Sequence, residues 1–297
     1  MAQSHVLVGN TPTFSKPAVR RIGVDDLQQA LRSGLADFQA MPSHAVFLCV
    51  IYPVVGIVLA QLILGYAILP FLFPLAAGFA LIGPFAALGL YELSRRREAG
   101  LETSARHALD ILHSPSIGAI AALGVLLVLI FLIWLALAHA VYVATFGYAM
   151  PDSVAQFVED LFTTSSGWTL ILVGNGVGFL FAATVLAISA VTFPLLLDRD
   201  VGAAVAVHTS IEVVRNNPVT MALWGLIVAA LLVLGSLPFF VGLAVVIPVL
   251  GHATWHLYRR AVDASNCPQA EFRRPDERRR YAADFPAALF GKEPPNA

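Results

Sequence analysis

IGAIAALGVLLVLIFLIWLALA, Ile117–Ala138, contains no charged residue and no proline. As a helix it matches the roughly 20 residues that cross the hydrocarbon of a bilayer. Its apolar side chains cover every face, which leaves no polar face for water. The rest of the chain repeats the pattern. Ala45–Leu64, Leu69–Leu90 and Gly167–Leu197 are also uncharged, and so is the long run Asn216–Tyr258. Gly235-Ser236-Leu237-Pro238 divides that last run, because Gly and Pro favour a turn. Asn217–Leu234 and Phe239–Tyr258 are then two further spans. Over the 297 residues only 12% are charged and 58% are hydrophobic, against about 25% charged in soluble domains. The sequence therefore predicts an all-α polytopic membrane protein with six transmembrane helices.

Residues 1–44 are polar, include Lys16, Arg20, Arg21 and Arg32, and hold no apolar core ahead of a cleavage site. The first span is expected to act as its own uncleaved insertion signal. Two cysteines, Cys49 and Cys267, offer no disulfide framework.

Arginine placement orients the chain. With six spans, the turns at 65–68, 139–166 and 235–238 share one side and contain no Lys or Arg. All 18 basic residues lie in the N-terminal segment, the 94–116 and 198–216 connections, and the C-terminal tail. Positive charge in short loops marks the cytoplasmic side, so both termini are expected inside.

Three segments share one plan. LRSGLADFQAMP ends at Pro42, SARHALDILHSP at Pro115 and VHTSIEVVRNNP at Pro218. Leu31, Leu35 and Phe38 match Val207, Ile211 and Val214, with Ala108 and Ile111 between them, at the spacing of a half-buried helix. Such helices are expected at the cytoplasmic interface, along the headgroups or against the bundle. Each Pro then opens a span, where its missing N–H costs nothing. Gly78, Ala80, Pro84, Leu93, Arg95 and Arg96 align without a gap on Gly242, Ala244, Pro248, Leu257, Arg259 and Arg260; Tyr91 falls on Trp255 and Glu92 on His256. The middle copy diverges, ending in PLLLDRD, Pro194–Asp200. The expected organisation is a disordered N-terminus 1–19, a membrane domain 20–263 in repeats of about 24–100, 101–200 and 201–263, and a disordered cytoplasmic tail 264–297. Each repeat is an amphipathic interfacial helix plus a helical hairpin. The outer loop of the middle copy, PDSVAQFVEDLF (Pro151–Phe162), predicts a short amphipathic helix capped by Asp152.

Chemistry is sparse. His252 and His256, at i and i+4, point the same way and are the candidates for a metal or haem. Leu88 and Glu92 replace them in the first copy, so no metal and no cofactor is expected. Tyr91, Arg95, Arg96, Trp255, Tyr258, Arg259 and Arg260 read as anchors at the cytoplasmic interface. Gly174, Asn175 and Gly178 in the fourth span read as a GxxxG packing face with an amide hydrogen bond, or as part of a solute path. No deep ionisable residue suggests a proton or ion relay. No catalytic residue and no nucleotide or phosphate motif is found. Arg273–Arg280 is a basic stretch suited to anionic lipid.

GPFAALGLYELSRRREAG (Gly83–Gly100), FPLLLDRDVGAA (Phe193–Ala204) and IPVLGHATWHLYRR (Ile247–Arg260) resemble segments of a bacterial family of integral membrane proteins, domain of unknown function 2189. The resemblance runs from about Arg20 to Asp263. It implies a multi-pass protein of the bacterial inner membrane and brings no catalytic residues. The expectation is a non-enzymatic scaffold, accessory subunit or assembly factor. Its partners would be membrane lipids and a membrane-protein complex or a second copy, with no nucleic acid. The alternatives are a transporter or channel for a neutral or amphipathic solute, suggested by repeats and Pro-broken spans, and a haem- or metal-binding membrane protein.

Overall fold

The computed structural model describes residues 16–41, 87–148, 153–238 and 240–270. The predicted spans Ala45–Leu64 and Leu69–Leu90, apart from residues 87–90, lie outside them. So do Asp152, Cys49 and Arg273–Arg280.

The described chain is almost wholly helical. The elements are β1 (Ala18–Val19), α1 (Val24–Ala40), α2 (Leu88–Glu98), a 3-10 helix (Ala105–His113), α3 (Ile117–Phe146), α4 (Val154–Thr163), α5 (Ser165–Ser189), α6 (Thr192–Asp198), α7 (Gly202–Asn216), α8 (Pro218–Ser236), α9 (Leu243–Ala261) and β2 (Val262–Asp263). Among the described residues, three stretches are long and apolar enough to cross a membrane: Ile117–Phe146, Ser165–Asp198 and Pro218–Ser236. α9 has comparable length but carries Thr254, two His and two Arg in its second half, and it is not among these three.

Local chemistry sets the boundaries. Gly147 ends α3 at φ +75, a left-handed conformation that glycine adopts without a Cβ clash. α4 is capped by Ser153, one residue beyond the expected Asp152, through a hydrogen bond from the Gln156 N–H at 3.1 Å. α5 and α6 are separated at Ala190–Val191, because Pro194 has no N–H to continue the ladder. The hydroxyls of Ser189 and Thr192 turn back onto the carbonyls of Val185 and Ile188. The predicted Pro at the start of α8 is present at Pro218.

Two of the three amphipathic stretches are α-helices, α1 and α7, and the middle one is the 3-10 helix. Each packs on the span end of another segment. α1 lies along α9, the 3-10 helix along α2, and α7 along α6. α2, α6 and α9 also touch one another. α1 and α9 approach closely, and a Cβ built on Gly34 would lie 2.5 Å from the Ala253 nitrogen.

The two ends of the described chain are joined. β1 pairs antiparallel with β2, Ala18 opposite Asp263 and Val19 opposite Val262. The Arg20 N–H donates to the Ala261 carbonyl at 2.8 Å. Asn217, at the start of α8, accepts from the Ile22 N–H at 2.9 Å and donates to the Arg20 carbonyl at 3.1 Å. The packed body also extends past the expected boundary at 263. Ala264, Cys267 and Ala270 are buried, and the Ala270 N–H donates to the Asp198 carbonyl at 3.0 Å. Residues 264–270 are thus a strap over the end of α6 rather than the start of a loose tail. Their small apolar side chains fill the gap, and the Arg199 guanidinium takes the Cys267 carbonyl at 2.9 Å.

Candidate functional site

The region richest in polar chemistry is the end of the bundle where α2, α6 and α9 meet. Aligned on their leucines, the three ends read Leu93-Ser94-Arg95, Leu197-Asp198-Arg199 and Leu257-Tyr258-Arg259. Leu93, Leu197 and Leu257 are all fully buried. The position after each leucine carries a polar group at the same register, and these groups build the site.

Asp37, on α1, is the hub of the first cluster. Its carboxylate accepts from the Ser94 hydroxyl at 2.6 Å and from the Arg97 guanidinium at 2.6 Å, and it lies 2.9 Å from His256 Nε2. Ser94 Oγ also lies 2.8 Å from His252 Nδ1. A hydroxyl has one proton, and Ser94 gives it to the carboxylate. His252 Nδ1 must then carry the hydrogen of the second contact. Burial raises the Asp37 pKa, but the hydrogen bonds from His256 and Ser94 and the charges of His256 and His252 outweigh it and hold the carboxyl below its ordinary value.

Asp198 and Glu98 anchor the second cluster. Tyr258 OH donates to Asp198 Oδ2 at 2.7 Å, and Arg199 pairs with the same oxygen at 3.0 Å. Trp255 Nε1 donates to Glu98 Oε2 at 2.8 Å. Arg259 bridges the two acids, at 2.9 Å from Glu98 and 3.4 Å from Asp198. On α2 itself Glu92, fully buried, takes Arg95 through both oxygens at 2.7 and 2.8 Å. Arg96 reaches Asp110 of the 3-10 helix at 3.1 Å, and Arg260 reaches Asp26 of α1 at 3.3 Å.

This arrangement revises the anchor reading. Trp255, Tyr258 and Tyr91 are at most 2% exposed, so they fasten helix ends to one another rather than to lipid headgroups. Glu98 and Asp198, on the ends of other segments, supply acceptors in place of the interface. His256 likewise bonds an acidic side chain inside the bundle. His252 and His256 do share a helix face, yet each is committed to the Asp37–Ser94 cluster. Among the described residues, no group of three or more His, Cys, Asp or Glu side chains is placed to hold a metal.

The GxxxG expectation divides. A Cβ on Gly178 would meet the Trp134 ring at 3.1 Å, so this glycine is a packing position between α5 and α3. Gly174 has nothing within 4 Å. Asn175 is exposed and bonds back to its own Ile171 carbonyl at 2.7 Å. Asp37, Ser94, Arg97, Glu98 and Asp198 were not singled out from the sequence. The common Leu-polar-Arg register of the three helix ends is the signal that marks Ser94 and Asp198.

Long apolar helices that expose much of their surface, tied together at a polar end, define an integral membrane protein. Residues 72–198 match the model of the family described as a predicted integral membrane protein (DUF2189), the family that the sequence resembles. The match takes in α2 through α6; the segment Ile247–Arg260 lies outside it. No curated protein and no solved structure matches the chain.

Proposed function

We propose that the protein is a non-enzymatic scaffold, accessory subunit or assembly factor of the bacterial inner membrane. In this reading it has six spans in three repeats and both termini on the cytoplasmic side. The observation that carries it is the closed floor at the polar end. Leu90, Leu93, Leu195, Leu196, Leu197, Trp255, Leu257 and Tyr258 are all buried to within 2%. Most polar side chains around them are spent on one another, and His252 Nε2, which has no hydrogen-bond partner among the described residues, is itself buried. A scaffold needs such a rigid end, and a solute path at this end would need it opened.

Two further observations support the topology. α8 leaves from Asn217, beside Arg20 and Ile22, and α9 ends at Ala261, also beside Arg20. The two helices pack as a hairpin, so α9 recrosses whatever α8 crosses despite its polar second half. At 19 residues, α8 is about 28 Å long. The head-to-tail order of packing, each amphipathic element on another segment's span end, is what three parallel repeats closed into a ring would give. The absence of Lys and Arg from the opposite turns supports a cytoplasmic polar end.

Flux and partner capture separate the readings. Purified protein in sealed vesicles is expected to give no leak of neutral or amphipathic solutes above protein-free vesicles. Purification in native lipid is expected to retain a membrane-protein partner, read by mass spectrometry. Saturable solute flux would replace the scaffold reading with transport.

A further inference from the structure

The three amphipathic elements do not meet their surroundings alike. α7 exposes no large apolar side chain, and α1 exposes only Val24 and Leu35, about three turns apart. The 3-10 helix differs. At three residues per turn, side chains at i and i+3 line up in rows. Ala105, Ala108 and Ile111 form the inner row; Ala108 is buried with Met41 and Leu93, and Ile111 packs on the main core. His107, Asp110 and His113 form a polar row, in which His107 accepts from the Ser104 N–H at 3.1 Å and Asp110 pairs with Arg96. Arg106, Leu109 and Leu112 form the outer row. Leu109 and Leu112 are 59% and 61% exposed, Leu101 just before them is 49% exposed, and Arg106 forms no ion pair among the described residues.

This outer row leads into α3 through Ser114, Pro115 and Ser116. α3 carries its own exposed apolar side chains, among them Val125, Leu126 and Leu129. We infer that Leu109 and Leu112 insert into the lipid leaflet at the polar end of the bundle, with Arg106 on an anionic lipid phosphate. The occupant is lipid because the exposed row is followed within five residues by a helix fit to span the bilayer, whose exposed side chains are themselves apolar. The row also carries a cation, Arg106, that forms no ion pair among the described residues, the combination that holds interfacial helices on anionic membranes. The inference rests on α3 spanning the membrane and not on the scaffold reading.

The test uses the full chain with Cys49 and Cys267 replaced by Ala, reconstituted in phosphatidylethanolamine–phosphatidylglycerol vesicles. Nitroxide labels go on Leu109→Cys, Leu112→Cys and, as the polar-row control, His113→Cys. All three sites are exposed, so the labels do not disturb packing. Oxygen is expected to relax the labels at 109 and 112 several-fold more than a water-soluble nickel chelate does, with the reverse order at 113. Replacing phosphatidylglycerol by phosphatidylcholine is expected to make the labels at 109 and 112 shallower, and Arg106→Gln to abolish that difference. Labels at 109 and 112 that the nickel chelate relaxes as readily as at 113 would overturn the inference, since the row would face water. Protection from both agents would overturn it too, since protein would cover the row. Lipid depth without any dependence on phosphatidylglycerol would overturn the Arg106 part. An active transporter with labelled leucines in lipid would leave the inference standing while the scaffold reading fell.

Discussion

The polar end of the bundle and the long helices α3, α5 and α8 share one backbone architecture and differ in what holds them. At the polar end, α2, α6 and α9 are largely buried, α1 covers them with its inner face, and charged groups find partners across segments. Along the spans, whole faces are bare: Leu172, Phe179, Leu180 and Leu226 are all more than 60% exposed. A bilayer satisfies such faces without any specific partner, because lipid tails are as apolar as leucine. Specificity in this protein therefore sits at the ends of its helices. Substitutions should separate the two regions sharply.

The largest contrast lies between two glycines. Gly34→Val is expected to cost about 3 kcal/mol or more and to release α1 from α9, since the added carbons meet backbone that cannot retreat. Gly174→Val, in the span, meets nothing and should leave the melting temperature in detergent unchanged. A tolerated Gly34→Val would mean that the α1–α9 contact is not tight.

Next comes Asp37→Asn, which leaves Arg97 and His256 without their carboxylate. Arg97 is 40% exposed on its side chain, so solvent limits the loss to about 2 kcal/mol. The same variant carries a pH signature. The folded state holds Asp37 ionised below its ordinary pKa, so its contribution is complete above the ordinary carboxylate range. It is lost as pH falls through the lowered folded value. Wild-type melting temperature should therefore fall more steeply than that of Asp37→Asn as pH drops through that range. At Asp263, on the surface and partly exposed, the Arg20 and Ser265 hydrogen bonds hold the carboxyl down to about 2, and Asp263→Asn should change stability far less.

Tyr258→Phe removes a single buried hydrogen bond to Asp198 and should cost about 1–2 kcal/mol. Gly178→Ala is milder than these changes at the polar end. Its methyl group would press on the Trp134 ring at 3.1 Å, and about 1 kcal/mol or less is expected after the ring shifts. A loss at Gly178 equal to that at Gly34 would erase the distinction between the two regions.

The same division explains what could be read from the residues. Hydropathy marks α3, α5 and α8 directly, because lipid exposure demands apolar side chains at every position of a long run. Pro218 marks the start of α8, and the 3.6-residue pattern marks α1 and α7. The site was harder. Trp255, Tyr258 and the paired arginines look the same whether they face headgroups or the ends of neighbouring helices. Only the neighbours decide, and these are distant in sequence: Glu98 and Asp198 for one, Asp37 for the other. The 3-10 form of Ala105–His113 was also not legible, since its composition fits an α-helix. Cys267 and Ala270 lie after a polar turn, and the bridge to Asp198 and Arg199 that orders them has no local signal.

The central claim is that the described residues close on themselves, with β1 and β2 in contact and so on one side of the membrane. Cysteines at Ala18 and Asp263, opposite each other in the β1–β2 pair, test it in native membranes, with Cys49 and Cys267 replaced by Ala. Mild oxidation is expected to give rapid intramolecular cross-linking, visible as a shift that reductant reverses, while Ala18→Cys paired with Ser153→Cys gives none. No cross-link between 18 and 263, or one that forms only between separate chains, would contradict it.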